Sequence, residues 1–158
     1  MCGIAGLIHR GKSSDIGSEL TAMLQSLKHR GPDSTGFALY GNPREGEYIL
    51  RFKVAEQEDM RKGFKIHDQV KERRAEVDRR LGELGARKVQ DDDATEYAYR
   101  YLISYDGDMK KLADYVEDVE GAEILSIGNA LELVKDLGDA TTVSGQYDLG
   151  TFQGTDRK

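Results

Sequence analysis

The sequence predicts an α+β fold. Three observations favour it: an apolar stripe at helical spacing near the start, two short strands joined by a turn that contains glycine and proline, and a later segment, residues 97–137, in which strands and helices alternate. The 158 residues are enough for one domain with a substantial hydrophobic core. We therefore treat residues 1–158 as a single domain.

Composition narrows the classes of function. Acidic residues outnumber basic ones 29 to 23, and a net charge of −6 offers no basic field to attract nucleic acid. No apolar run approaches the roughly 18 residues of a membrane span, and residues 2–8 lack the basic start and cleavage site of a secretion signal. A single cysteine, Cys2, allows neither an internal disulfide nor a multi-cysteine metal site. We expect a cytoplasmic protein with no nucleic-acid or membrane partner.

The first part of the chain predicts a strand, a helix and a hairpin. The small apolar run at residues 2–8 predicts the first strand. A helix should follow, with Ser14 or Asp15 as its N-cap and Gly31-Pro32 as its stop. Its apolar stripe consists of Ile16, Leu20, Met23, Leu24 and Leu27. Two short strands, residues 35–40 and 47–54, flank a turn and predict a hairpin.

The remainder predicts a helix-rich αβ segment. Residues 56–88 are densely charged with apolar residues at roughly helical spacing, which indicates an amphipathic helix or helix pair broken near Gly82 or Gly85. The three aspartates at 91–93 are expected to form a turn. The elements predicted next are a strand at 97–105, a helix at 109–119, a strand at 123–127, a helix at 130–137 and an extended piece at 141–152. We expect residues 56–140 to be an insertion in a larger sheet framework.

Cys2 is distinguished by its position. Removal of Met1 would make Cys2 both a nucleophile and the N-terminal amine. An α-amino group titrates at about 7.7–8.0 and a free thiol at about 8.5, so one residue can supply a base and a thiol that are both poised near neutrality. This is the arrangement of N-terminal nucleophiles. The alternative is a free cysteine that packs as a small hydrophobic residue.

Two motifs carry a family resemblance. The chain begins Cys2-Gly3-Ile4-Ala5-Gly6, and after one predicted helix it continues His29-Arg30-Gly31-Pro32-Asp33-Ser34-Thr35-Gly36. In this order and spacing the motifs resemble the class II glutamine amidotransferases, whose glutaminase domain is an N-terminal-nucleophile hydrolase. The charged middle and the αβ segment resemble the stand-alone amidotransferase subunits related to glutamate synthase and N-methylglutamate synthase.

The resemblance implies a fold, a reaction and partners. The fold would be an N-terminal-nucleophile hydrolase-like αββα sandwich, here incomplete and carrying the αβ insertion. Cys2 would be catalytic and would hydrolyse the side-chain amide of L-glutamine through a thioester, while Arg30 and Asp33 would help to bind the substrate. The glutaminase itself would need no cofactor and no metal. Its ammonia would pass to a synthase or synthetase subunit, which the glutamate synthase kinship would make a flavin and iron–sulfur protein; whether the chain forms an oligomer stays open.

The sequence also departs from the family pattern. The family has a His-Thr-Arg segment, whose arginine clamps the glutamine carboxylate, and an Asn-Gly pair that supplies an oxyanion hole. Neither occurs in these residues. Since both groups contribute strongly to orientation and rate, we expect a truncated or split amidotransferase, or a non-catalytic fragment that acts as an assembly partner. Arg30 and Asp33 also have a structural interpretation, because Gly31-Pro32-Asp33-Ser34 is strong turn chemistry in any protein.

A phosphate-binding loop is the competing hypothesis. Residues 6–13 satisfy the pattern G-x-x-x-x-G-K-[ST], in which Lys12 would contact phosphates and Ser13 a magnesium ion. The bulky residues inside the pattern fit a tight anion site poorly, and the hypothesis leaves Cys2 and the second motif unexplained. It predicts a nucleotide-binding protein that depends on Lys12 and not on Cys2.

Overall fold

The computed structural model describes residues 2–9, 15–31 and 33–152. Four helices lie within these residues: α1 (Ile16–Ser26), α2 (Phe64–Glu83), α3 (Met109–Glu117) and α4 (Ala140–Gln146). Six strands accompany them: β1 (Ser34–Tyr40), β2 (Glu47–Lys53), β3 (Arg87–Asp93), β4 (Ala98–Ser104), β5 (Glu123–Gly128) and β6 (Leu131–Leu137). The predicted α+β class is confirmed. The chain folds as two compact units: the first unit comprises Met1–Asn42 and Leu133–Lys158, and the second unit comprises Pro43–Glu132.

The first unit pairs β1 with β6 and packs α1 with α4. Leu39 and Val143 are among its fully buried side chains. The two helices are joined by a hydrogen bond from the Thr21 hydroxyl to the Ser144 hydroxyl, at 3.0 Å. The predicted first helix is confirmed, with Asp15 at its N-cap.

Gly17 lets α1 approach the turn that follows α4. Its N–H donates to the carbonyl of Phe152 at 3.1 Å. A Cβ at this position would overlap the carbonyl oxygen of Leu149 and lie 2.8 Å from its carbonyl carbon. The obstructing atoms belong to the backbone, so no side-chain rotation relieves the overlap.

We expect Gly17→Ala to destabilise the protein by about 1–3 kcal/mol, the usual cost of forcing extra volume into a packed site. Gly145→Ala in α4 is the matched control, because its Cβ would meet nothing within 4 Å. Alanine is the better helix former there, so this control should gain about 0.5–1 kcal/mol. Urea unfolding of both variants checks the prediction, and equal midpoints would show that the close approach is not needed.

The second unit is an antiparallel four-stranded sheet in the order β3-β4-β2-β5, accompanied by α2 and α3. Val77 of α2 and Val116 of α3 are fully buried. Tyr99 and Tyr101, which lie on one face of β4, are buried, and Tyr101 stacks edge-on against Phe52 with ring centroids 5.0 Å apart. That face is therefore a packing surface.

A buried charge cluster crosses this sheet. Arg51 of β2 and Arg100 of β4 are directly opposite one another, an arrangement that is unfavourable for like charges. Glu132 lies between them and accepts hydrogen bonds from Arg51 Nε at 2.9 Å and from Arg100 Nε at 2.8 Å. Burial raises the pKa of the Glu132 carboxyl, but the hydrogen bond from Arg100 and the charge of Arg51 bring the pKa below its ordinary value. The ionised carboxylate compensates one of the two positive charges, and Asp92, 3.1 Å from Arg100 Nη1, supplies a second negative charge.

Several predicted elements are wrong. Residues 2–9 form no strand, because the segment packs on a helix instead of pairing with another strand. The predicted hairpin is wrong in its pairing: β1 pairs with β6, whereas β2 pairs with β4 and β5. Residues 131–137 form strand β6 and not a helix, and residues 140–146 form helix α4 within the piece predicted as extended.

The aspartates at 91–93 do not form the predicted turn. They lie in β3 at the edge of the sheet, where basic residues neutralise them. Asp91 and Asp93 both pair with Arg74, at 3.2 and 2.9 Å, and Asp92 pairs with Arg100 at 3.1 Å. Cross-strand and helix contacts thus overcome the low strand propensity of aspartate.

Candidate active site

The N-terminal segment lies along α1. A Cβ built on Gly3 would lie 3.0 Å from Leu27 Cβ and 3.6 Å from Arg30 Cβ, so the backbone of Gly3 rests on the end of this helix and the turn after it. Six residues later, His9 Nε2 lies 2.7 Å from a carboxylate oxygen of Glu19, near the start of α1. The segment therefore runs back along the helix and is held at both ends.

This packing brings the two sequence motifs together. Cys2 is exposed as a free thiol, and it immediately precedes the Gly3 contact. Arg30 ends the short 3-10 turn Lys28–Arg30, which continues from α1 into the second motif. Asp33 is exposed just before β1, and its backbone carbonyl accepts a hydrogen bond from the N–H of Gly138 at 3.0 Å. Gly3 and Arg30 are thus neighbours, while the side-chain roles of Arg30 and Asp33 stay predictions.

A small cavity lies beside this contact. Its volume is about 90 Å³, enough for a small polar group, since one water takes about 30 Å³ in the liquid. Residues from both motifs and from the start of α4 line it: Gly3, Leu24, Leu27, Lys28, Gly31, Ser34, Thr35, Gly36, Asp139 and Ala140. The glycines among them leave backbone groups accessible, and Lys28 and Asp139 place one charge of each sign at the wall.

Sequence reasoning missed the contribution of Gly138 and Asp139. Gly138 has φ +116°, and a Cβ there would lie 2.9 Å from Thr142 Cγ2, so only glycine fits this turn. Its carbonyl accepts a hydrogen bond from the Thr35 hydroxyl at 2.8 Å. Asp139 is the N-cap of α4. The sequence does contain a signal for the start of α4: Gly138-Asp139 is followed by small residues, a pattern typical of a helix N-terminus. The assignment of the preceding residues to a helix obscured this signal.

Asp139 is held by three donors. Its carboxylate accepts hydrogen bonds from the Gln25 side-chain amide at 3.0 Å, from the N–H of Thr142 at 3.0 Å and from the Thr142 hydroxyl at 2.8 Å. These hydrogen bonds, that of Gln25 foremost, lower the pKa of Asp139 to about 2 from an ordinary value of 3.8. The carboxylate at the cavity wall is therefore ionised at neutral pH.

This lowered pKa predicts a pH dependence of stability. Because the folded-state pKa lies below the unfolded one, Asp139 contributes stability that is complete above about pH 4 and is lost as the pH falls towards about 2. The thermal midpoints of wild type and Asp139→Asn should therefore differ near neutral pH and converge in acid. A difference that stayed constant through the acid range would contradict the prediction.

The other shifted groups belong to structural ion pairs. Burial raises the pKa of Tyr101 to about 12, and its hydroxyl accepts a hydrogen bond from Arg74 Nε at 2.9 Å. The hydrogen bonds of Arg79 and Arg80 lower the pKa of Glu76 to about 2 on the surface of α2. Structural ion-pair networks perturb pKa values as active sites do, and the cavity beside Gly3 is lined by other side chains.

The structure says little about the predictions on a phosphate-binding loop, a metal site and a membrane span. Lys12 and Ser13 of the phosphate-loop hypothesis lie outside the described residues. The strand that should precede such a loop is absent from residues 2–9. Within the described ranges, no group of three or more His, Cys, Asp or Glu residues is arranged to hold a metal ion. No helix in the same ranges is long and apolar enough to cross a membrane.

Comparison with known proteins gives two relatives. A protein of Methanothermobacter thermautotrophicus, provisionally named a glutamine amidotransferase, is 31% identical over 160 aligned positions that cover 98% of this chain and 49% of the relative. The glutamine amidotransferase-like protein GlxB of Rhizobium meliloti is 27% identical over 159 positions, covering 98% of this chain and 47% of the relative. The chain thus spans about half the length of these curated relatives. No protein-family model matches it.

Proposed function

We propose that this chain carries the nucleophile of a class II glutamine amidotransferase. The observation that carries the proposal is the contact of Gly3 with Leu27 and Arg30, which brings the Cys2 motif and the His29–Gly36 motif to one small cavity. The names of the two relatives support glutamine as the substrate. Cys2 is an exposed free thiol, and the residue that follows it, Gly3, lines this cavity.

In the proposed reaction, Cys2, the substrate and water supply every bond that forms or breaks. With Met1 removed, the free α-amine of Cys2 takes the thiol proton, and the sulfur bonds to the carboxamide carbon of glutamine. The carbon–nitrogen bond then breaks, and the proton held by the amine passes to the leaving nitrogen, which departs as ammonia. Water attacks the thioester, releases glutamate and restores the thiol.

We propose that two further groups come from sequence outside these 158 residues. The chain contains neither a His-Thr-Arg segment nor an Asn-Gly pair, and its relatives are about twice as long. A carboxylate clamp and an oxyanion donor could lie in the same polypeptide or in another chain. Loss of one oxyanion donor typically costs about 10²–10³ in kcat, so the 158 residues alone should turn glutamine over slowly.

The wider assignment follows from the same proposal. We propose that the first unit belongs to an αββα sandwich of the N-terminal-nucleophile type, and that the αβ insertion predicted at residues 56–140 corresponds largely to the second unit, Pro43–Glu132. Ammonia would be delivered to a synthase subunit, for which a flavin and iron–sulfur protein is our first candidate. Cytoplasmic location is part of this proposal.

Protection of Cys2 by glutamine tests the proposed function. Chain that has lost Met1 is incubated with the chloromethyl ketone analogue of glutamine, and intact mass reports the adduct. We expect one adduct on Cys2, suppressed by L-glutamine and not by L-asparagine. Lys12→Ala should behave as wild type.

Three outcomes would count against the proposal. Labelling that glutamine does not suppress would show a reactive thiol without a glutamine site. An unreactive Cys2 would favour the non-catalytic assembly fragment. Nucleotide binding that is lost in Lys12→Ala and retained in Cys2→Ala would favour the phosphate-binding loop.

A further inference from the structure

Gly138 is bonded to the second motif through both of its backbone polar groups. Its N–H donates to the carbonyl of Asp33 at 3.0 Å, and its carbonyl accepts from the Thr35 hydroxyl at 2.8 Å. The start of α4 is therefore fixed to Asp33, just before β1, and to Thr35, near the start of β1. Any displacement of residue 138 would move the wall of the cavity.

The neighbouring Asp139 is bonded to α1. Its Oδ2 accepts from Gln25 Nε2 at 3.0 Å, while Gln25 Oε1 accepts from the N–H of Thr141 at 3.2 Å. The orientation of the Gln25 amide is thereby determined, because its oxygen is already used and its nitrogen must donate. Only an acceptor at residue 139 completes this pair of hydrogen bonds.

These two hydrogen bonds are connected to Cys2 through a short series of contacts. Gln25 lies two residues before Leu27, which supports Gly3, and Asp139 lines the same cavity as Gly3. We propose that Asp139 is a positioning residue, whose hydrogen bond to Gln25 holds the end of α1 so that Leu27 and Gly3 place the Cys2 thiol at the cavity. The inference rests on the proposed glutaminase function and assigns a residue outside both sequence motifs.

The geometry provides a pair of compensating substitutions. Asp139→Asn keeps an oxygen for Thr142 but turns an N–H₂ group towards the Gln25 nitrogen, so two donors meet. Gln25→Glu places two carboxylates together. In the double variant the new amide at position 139 donates to the new carboxylate at position 25, which still accepts from Thr141, and the net charge is that of wild type. Ser26→Ala is the control, since the Ser26 hydroxyl donates to the carbonyl of Ala22, one turn earlier in α1.

The readout is the rate of Cys2 labelling by the chloromethyl ketone, separated into the limiting rate and the concentration for half-saturation. Each single variant should lose about 10- to 100-fold in the ratio of the two, the scale of a misplaced reacting group, while its rate with iodoacetamide stays that of wild type. The double variant should recover to within about threefold of wild type, and Ser26→Ala should match wild type. Thermal midpoints are measured on every variant to confirm that it is folded at the assay temperature.

Each contrary result is decisive. Single variants that label as wild type does, even with lowered thermal midpoints, would show that the hydrogen bond is structural only and would overturn the inference. A double variant as slow as the product of the two single losses would also overturn it, because the two side chains would then act independently of their hydrogen bond. Absence of glutamine-suppressible labelling in wild type would instead overturn the proposed function, and the inference with it.

Discussion

Replacing Cys2 by alanine should abolish all covalent chemistry with glutamine and its analogues, because Cys2 is the only cysteine in the chain. The substitution should leave stability unchanged, since Cys2 is exposed and belongs to no helix or strand. Surface substitutions of this kind usually change stability by less than about 0.5 kcal/mol. Ammonia release from glutamine and thermal unfolding, measured side by side, check both parts.

A second variant separates the thiol from the amine. One additional alanine between Met1 and Cys2 retains the thiol but converts its α-amine into a peptide bond after Met1 is removed. This variant should react with iodoacetamide as wild type does and yet form no thioester with glutamine. Equal thioester formation in both chains would show that the α-amine is not the base.

Glu132→Gln should destabilise the second unit strongly. The substitution removes the negative charge between Arg51 and Arg100, and a glutamine N–H₂ group would then face guanidinium donors. Breaking a buried ion pair by removing one partner costs about 3–5 kcal/mol, because the remaining charge is left uncompensated. Urea unfolding followed by the near-ultraviolet circular dichroism of the buried tyrosines measures the loss.

Glu76→Gln is the matched control for this prediction. Glu76 also accepts hydrogen bonds from two arginines, Arg79 and Arg80, but it does so on the surface of α2. Solvent and salt screen such a pair, so its loss should be far smaller. Equal losses in the two variants would show that burial does not determine the importance of Glu132.

The same burial explains one failure of sequence-based prediction. Strand β6 buries Glu132, Val134 and Asp136 and exposes Leu133, so its inward residues include two acids. The leucines and valine of this segment fit helical spacing as well as strand spacing. The acids are tolerated inside because arginines bond to Glu132 and the Tyr147 hydroxyl donates to Asp136 at 2.6 Å. The arginine partners are distant in sequence, so no local pattern could reveal the strand.

Other elements could be predicted from local sequence signals. Helix α1 has a regular apolar stripe, and α3 begins after Asp108, whose side chain accepts hydrogen bonds from two N–H groups of its first turn. The exception is the N-terminal segment. Its isoleucines, Ile4 and Ile8, are 91% and 90% exposed, although an apolar run normally predicts a buried strand. Its packing against α1 depends on contact between the Cys2–Gly6 motif and the His29–Gly36 motif. Such a tertiary contact cannot be predicted from local sequence.

The candidate site was predictable in part for the same reason. Cys2, Arg30 and Asp33 could be selected from motifs, and the structure brings the two motifs together at Gly3. Gln25 and Asp139 could not, because their hydrogen bond joins residues 114 positions apart. Short motifs identify groups that perform chemistry, whereas the residues that position them are found only from the fold.

The most direct test of the central claim uses the substrate itself. Chain that begins with Cys2 is mixed with L-glutamine, quenched in acid after increasing times, and weighed intact by mass spectrometry. A Cys2 nucleophile predicts a species heavier by glutamine less ammonia, located on Cys2 by peptide mapping and absent from Cys2→Ala. Unmodified chain at saturating glutamine, under conditions in which the chloromethyl ketone labels Cys2, would contradict it.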